Sequence, residues 1–350
     1  MGSPYPLHYT LRWPYYYMWP SIKNHCKMPV RPIETEFTPA RENDFTRLMF
    51  CGDIMLTQKD MVPILHPEVK KILNTADLFI GNCEAPVGSH QINPQAKYHL
   101  IYHMPELFIK GIIDQLDLTP DQWVLSVANN HAGDKGVDEY LKSINILSQI
   151  GVHIVGHYCD YNMPLNMIES RGVKLGISAW TDWMNREIFP PHSGVVRTEC
   201  IQLSNWREIK KHYQLDMMIG MPHWEYEFQH FPKQRTRNLA KKLINHDGFN
   251  LVIGAHPHTL QPMEWFDNGI CAYSLGNFCG LGLAWPVRLI PVLEVKIGCT
   301  DENKGKILSY KLHTFAQVNH KSRLDIVPLT EINTKLRDKM LKRLGLVFHA

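Results

Sequence analysis

The sequence predicts an α/β layered domain, and three observations predict it. From Arg47 onward, short apolar runs of strand length alternate with amphipathic stretches of helix length. The longest amphipathic stretches close on glycine, the usual left-handed helix stop. Of the 350 residues, 44% are hydrophobic and 20% charged, a globular balance with ample material for a core.

Taken in order, residues 1–44 lack clear periodicity and form an aromatic, proline-rich arm packed on the main body. Its tyrosines and tryptophans suit either cover for a sheet edge or a partner surface. Residues 45–300 form the main domain, with strands at "RLMFCGD", "ADLFIGNCE", "WVLSVANN", "VHIVGH", "VKLGISAW", "LDMMIGMPH", "FNLVIGAH", "GICAYSLGN" and "VRLIPVLEVKI". Between them, "GVDEYLKSINILSQIG" places Val137, Tyr140, Leu141, Ile144 and Leu147 on one helical face and stops at Gly151. "KQRTRNLAKKLINHDG" is a second helix, ending at Gly248. Residues 301–350 add a strand, "GKILSYKLHTF", and a basic helix, "TEINTKLRDKMLKRLG", packed on the same domain.

The totals bound the partners. A net charge of +3 gives no footing for nucleic acid. No apolar run reaches the roughly 18 residues of a membrane span. The N-terminus lacks a basic start followed by an apolar core, so the expected location is the cytoplasm. Eight scattered cysteines with no CxxC pair read as buried free thiols in a reducing compartment.

Chemistry collects at the carboxyl ends of five strands, where α/β sheets bind ligands. These tips carry Asp53; Asn82 and Glu84; Asn129, Asn130 and His131; His223; and, in "LVIGAHPH", His256 and His258. On an extended segment the last two point the same way, with Pro257 limiting the backbone between them. Carboxylates, amide oxygens and imidazoles together suit divalent Mn, Zn or Fe, and no thiolate is present to select a soft metal. One carboxylate is able to bridge two ions, and His131 is placed to protonate a leaving group. Structural alternatives stand beside each: a cap for Asp53, turns for Asn129 and Asn130, a loop carboxylate for Glu84, a packed core imidazole for His223. Lys233, Arg235 and Arg237 read either as an anion-attracting run or as a solvated helix face.

In order, "FCGDIML", "ADLFIGNCEAPV", "SVANNHAGDKG", "HWEYEF" and "LVIGAHPHTLQPMEWFDNGICAYSLGNF" resemble the signatures of the CapA (PgsA-type) poly-γ-glutamate capsule synthesis family, within the calcineurin-like metallophosphoesterase superfamily. The resemblance covers roughly residues 47 to 280. It implies a four-layer α-β-β-α sandwich with two divalent ions at the strand ends. Carried over, Asp53 and His258 would bind the first ion, Glu84 would bridge, and Asn130, His223 and His256 would bind the second, with His131 as general acid. Asn82, Asn129, Glu225 and Glu227 would face substrate. The implied activity is a metal-dependent hydrolase or transferase acting on a phosphoester or γ-glutamyl amide, with an anionic or polyglutamate-type substrate. The alternatives are an assembly factor of a polymer-synthesis complex and a small-molecule phosphoesterase. Met55 stands where metallophosphoesterases outside this family place a histidine, and a thioether is a poor ligand for a hard ion. Glu225 replaces the glycine that usually follows "HW".

Overall fold

The computed structural model describes residues 5–57, 61–88, 101–158, 164–186, 194–282 and 284–349. Two short helices, α1 (Leu7–Thr10) and α2 (Trp13–Met18), open the described chain. The arm then runs to the body. Arg31–Pro32 pairs with Phe348–His349, and Glu34–Glu36 adds a strand to a sheet edge, one of the two roles its sequence allows.

Strands β1 (Phe45–Ile54), β2 (Leu78–Cys83), β3 (Trp123–Ser126) and β4 (His153–Val155) lie side by side and parallel. Their central members are buried on both faces, which is why they read as unbroken apolar runs. The crossovers carry α3 (Pro67–Leu73), α4 (Glu106–Ile113) and α5 (Val137–Ile150). Helix α5 ends where predicted: Gly151 adopts φ 95° and its N–H reaches the Leu147 and Ser148 carbonyls. Its buried face differs slightly, because Leu141 is 43% exposed while Ser143 is buried and accepts the Val87 N–H at 2.7 Å.

A second sheet has the order β5 (Asn166–Ser170), β6 (Val173–Thr181), β7 (Met217–His223), β8 (Leu251–Ile253), then β10 (Gly269–Ala272) inside β9 (Met263–Phe266). Strands β6, β7, β8 and β10 are parallel, and β5 and β9 are antiparallel edges. The chain then returns to the first sheet. Strand β11 (Asn277–Cys279) pairs with the end of β1, and β12 (Leu289–Gly298), β13 (Ile307–Asn319) and β14 (Leu324–Pro328) extend that sheet as an antiparallel meander.

Both sheets contribute to one hydrophobic core, which encloses Trp123, Trp180 and Trp206. Between the sheets the hydroxyls of Thr46 (β1) and Ser170 (β5) lie 2.6 Å apart. Helices α3 and α5 pack on the first sheet, and α6 (Thr198–Leu203) packs on the second, followed in the chain by α7 (Trp206–His212). The α/β sandwich expected from alternating runs is therefore present, with helices against both sheets. Helix α8 (Gln234–Lys242) continues as a π turn to Gly248, whose φ of 93° ends it at the predicted glycine. Seven cysteines among the described residues are unpaired; Cys159 lies outside them.

One crossing positions the site. The Asp53 N–H donates to the Gly276 carbonyl at 2.9 Å, where the segment entering β11 passes over β1. A Cβ at Gly52 would overlap that carbonyl oxygen, so "CGD" and "SLGN" form a matched pair that brings Asp53 and Asn277 together.

Candidate metal centre

The five strand tips converge. Asp53 lies near the end of β1 and Glu84 just beyond β2. His223 closes β7, and the asparagine loop follows β3. Asn82 Nδ2 donates to Asp53 Oδ1 at 2.8 Å and lies 3.3 Å from His223 Nδ1. Asn129 Nδ2 donates to the Cys83 carbonyl at 2.8 Å and reaches Asn82 Oδ1 at 3.3 Å. These two amides therefore brace the candidate ligand residues of neighbouring strands.

The histidine pair corrects the extended geometry expected of it. Strand β8 stops at Ile253, and His256 and His258 adopt φ of 96° and 54°. These are left-handed backbones that cost a non-glycine residue about 1–3 kcal/mol each. Glu225 and Phe228, in the loop facing them, are also left-handed, at 72° and 57°. The turn splits the two rings instead of aligning them. His256 Nδ1 lies 3.0 Å from His223 Nε2, whereas His258 Nδ1 lies 3.2 Å from Asp53 Oδ2 and 2.9 Å from Asn277 Oδ1.

Two groups of buried donor atoms result: Glu84, His223 and His256; and Asp53, Glu84 and His258. Asn130 Oδ1 joins the first, 2.8 Å from His223 Nε2. Glu84 belongs to both. It is fully buried, and neither of its carboxylate oxygens has a hydrogen-bond partner. An orphaned, buried carboxylate among imidazole nitrogens and an amide oxygen is costly unless a cation completes it, so the residues fit a divalent ion. Burial, and then Asp53, hold the Glu84 carboxyl well above its ordinary range. Burial pushes His223 and His256 well below theirs, keeping them in the neutral form that binds metal. Burial opposes the charged form of His258, but Glu84, Asp53 and Glu227 outweigh it and raise its pKa.

Beside these groups His131 Nδ1 lies 2.7 Å from Asp134 Oδ2, and the Tyr102 N–H donates to the same oxygen at 2.7 Å. The Asp134 N–H also bonds the His131 carbonyl at 3.0 Å, which closes a turn between them. The i, i+3 spacing from His131 was the available signal for its second role. A cavity of about 620 Å³ opens over the centre, lined by His131, Asn130, His258 and Met55, with Arg186 at its wall and Tyr5 and Trp13 of the arm on another side. The arm residues had no sequence signal linking them to the centre.

The two glutamates expected to face substrate divide. Glu225 does not line the cavity. Its Oε1 accepts the Lys233 N–H at 3.0 Å and the Thr236 hydroxyl, so it serves the start of α8. Glu227 lines the cavity, with Oε1 3.6 Å from His258 Nε2 and Oε2 accepting the Trp13 indole N–H. Arg237 pairs with Glu264 at 2.6 Å, and Lys233 sits 3.1 Å over the Tyr226 ring. Of that basic run only Arg235 is exposed; Lys233 and Arg237 are each held by a neighbour, so neither a solvated face nor an anion-attracting run describes all three.

Fold and site together define a candidate metalloprotein of the α/β-sandwich class, with one carboxylate shared between two ligand groups. The particular family follows from comparison: the family described as "Bacterial capsule synthesis protein PGA_cap" matches residues 47–280, and the chain belongs to it. The chain is 27% identical to the PGA biosynthesis protein CapA of Bacillus subtilis (strain 168), covering 70% of this chain and 66% of that protein. It is also 27% identical to the capsule biosynthesis protein CapA of Bacillus anthracis, covering 68% and 60%. It thus spans slightly under two thirds of each relative's length. Among solved structures, the calcineurin-like phosphoesterase YfkN of Bacillus subtilis aligns with a TM-score of 0.40 at 12% identity, over 86% of this chain and 97% of that one. NAD nucleotidase of Haemophilus influenzae aligns with a TM-score of 0.46 at 12% identity, over 86% and 62%. Among the described residues no helix is long and apolar enough to cross a membrane.

Proposed function

We propose that this chain acts in poly-γ-glutamate or related capsule-polymer synthesis as a hydrolase or transferase. Its centre holds two divalent ions of the Mn, Fe or Zn type, and its substrate is an anionic phosphoester or γ-glutamyl amide. The observation that carries the reading is Glu84, buried, shared by both ligand groups and without a hydrogen-bond partner on either oxygen, with His223 and His258 near its Oε1 at 3.5 and 3.9 Å. When bound, such ions polarise a substrate oxygen and lower the pKa of a bound water toward about 7. The chain's own part is positional. Asp134 accepts the Nδ1–H of His131, which orients the ring; with Nε2 also protonated, His131 gives that Nε2 proton to a leaving group and returns to the neutral ring. Asn130 orients His223 through its side chain, while its carbonyl accepts the Asn185 N–H at 2.8 Å. The buried thiols of Cys51, Cys83, Cys271 and Cys279 suit a cytoplasmic, reducing setting.

Met55, beside the first group in the cavity wall, favours a second reading, an assembly factor for a polymer-synthesis complex with a weakened centre. Metal content measured together with turnover of a generic phosphodiester, γ-glutamyl peptides and polymer separates the two. The enzyme reading expects about two ions per chain, and His131→Ala lowering turnover by about 10²–10⁴ with metal retained. Metal without turnover on any of these substrates rejects the enzyme reading and leaves the assembly role.

A further inference from the structure

The N-terminal arm reaches the ligand cluster itself. Tyr5 Oη lies 2.8 Å from His256 Nε2, the ring nitrogen opposite the Nδ1 that lies 3.0 Å from His223. Its ring packs edge-on against Trp183, 5.6 Å between centroids, and against Tyr226 at 4.8 Å, so the hydroxyl is held in place. Burial, and then the neighbouring Glu227, hold the Tyr5 phenol in its protonated form. Glu227 is in turn fixed by the arm: its Oε2 accepts the Trp13 indole N–H, and its carbonyl accepts the Tyr9 hydroxyl. The arm thereby contacts both His256 and the "HWEYE" loop.

We propose that Tyr5 is a positioning residue of the metal centre, setting the tautomer of His256 from the arm. This rests on the metal-centre reading above. For His256 to offer a lone pair from Nδ1 beside His223 Nε2, its ring proton must sit on Nε2, and that proton needs an acceptor. Tyr5 Oη is the atom positioned to accept it. A ligating histidine ordinarily donates its far N–H to such a partner, and losing the partner typically costs 10–100-fold in metal affinity. The arm is then part of the site rather than only cover for a sheet edge.

The test uses the full chain, stripped of metal and titrated with Mn²⁺ or Co²⁺ against a chelator. Tyr5→Phe keeps the ring packing and removes only the oxygen. Tyr16→Phe is the control: it keeps the ring stacked on Tyr9 and removes an arm hydroxyl that is bonded to neither His256 nor Glu227. The expected result is that Tyr5→Phe weakens one ion by 10–100-fold, changes the Co²⁺ ligand-field spectrum and lowers the metal-free melting temperature by no more than about 4 °C, while Tyr16→Phe retains both affinities. Wild-type affinity in Tyr5→Phe overturns the assignment. Equal losses in both variants also overturn it, by making the arm's role one of packing. A wild-type chain that takes up no ion rejects the metal-centre reading itself, a separate outcome.

Discussion

Replacing Glu84 by glutamine inverts the usual expectation for a buried ligand. In the metal-free chain this side chain is fully buried with no hydrogen bond to either oxygen, and burial followed by Asp53 raises its pKa. An unsatisfied buried polar group costs about 1–3 kcal/mol, and more when charged. Glutamine keeps the shape and supplies an amide donor facing the Asp53 carboxylate. The metal-free Glu84→Gln chain should therefore be more stable than wild type by about 2–4 kcal/mol, raising its melting temperature by about 5 °C. Wild type should recover the difference when loaded, since a ligand at about 1,000 times its Kd adds about 4 kcal/mol, whereas the variant gains much less. The pH dependence has a definite sign. A carboxyl with a raised folded-state pKa favours folding below its ordinary value of 4.5, and loses that contribution as pH rises. The variant's advantage should therefore widen from about pH 4.5 upward. Differential scanning calorimetry with and without Mn²⁺ measures both effects. A metal-free variant less stable than metal-free wild type, or equal stabilisation of both by metal, would refute the reasoning.

Other consequences are simpler to read. Asp134→Asn should lower turnover by about 10²-fold or more while metal content stays at the wild-type level, because only the His131 ring is disturbed; unchanged turnover contradicts the pairing. Gly52→Ala forces a Cβ into the Gly276 carbonyl and should destabilise by more than about 3 kcal/mol, seen as loss of soluble protein or a much lower melting temperature. His230, buried and bonded through Nδ1 to the Leu260 carbonyl, is held down to about 4 by burial and then Arg343. Neutral in the fold, it favours folding above its ordinary 6.5, and wild type should lose about 3 kcal/mol relative to His230→Gln as pH falls from 6.5 to 4. A gap between their melting temperatures that does not change with pH would remove that residue from the account.

The strands were legible because the parallel ones are buried on both faces and so appear as unbroken apolar runs, as in "DLFIGNC". Helix ends were legible at Gly151 and Gly248, where a left-handed residue is required. The polar tips were legible because five apolar runs in one sheet-forming chain end on such residues, whereas any one of them alone reads equally as a cap or a turn. Backbone detail was not: the turn that separates His256 from His258 depends on two left-handed non-glycine residues held by tertiary contacts, which no local pattern announces. Glu225 resembled a site carboxylate through its neighbours in "HWEYE", yet serves α8, because the helix start lies across the loop from it. Tyr5 and Trp13 were invisible as site residues, since each meets its partner more than 200 positions away.

Diffraction from crystals grown with Mn²⁺, with anomalous scattering recorded at the metal edge, tests the central claim most directly. Two anomalous peaks are expected on either side of the Glu84 carboxylate, one near Asp53 and His258 and the other near Asn130, His223 and His256. Scatterers elsewhere, or a Glu84 carboxylate contacted by no ion in metal-saturated crystals, would contradict it.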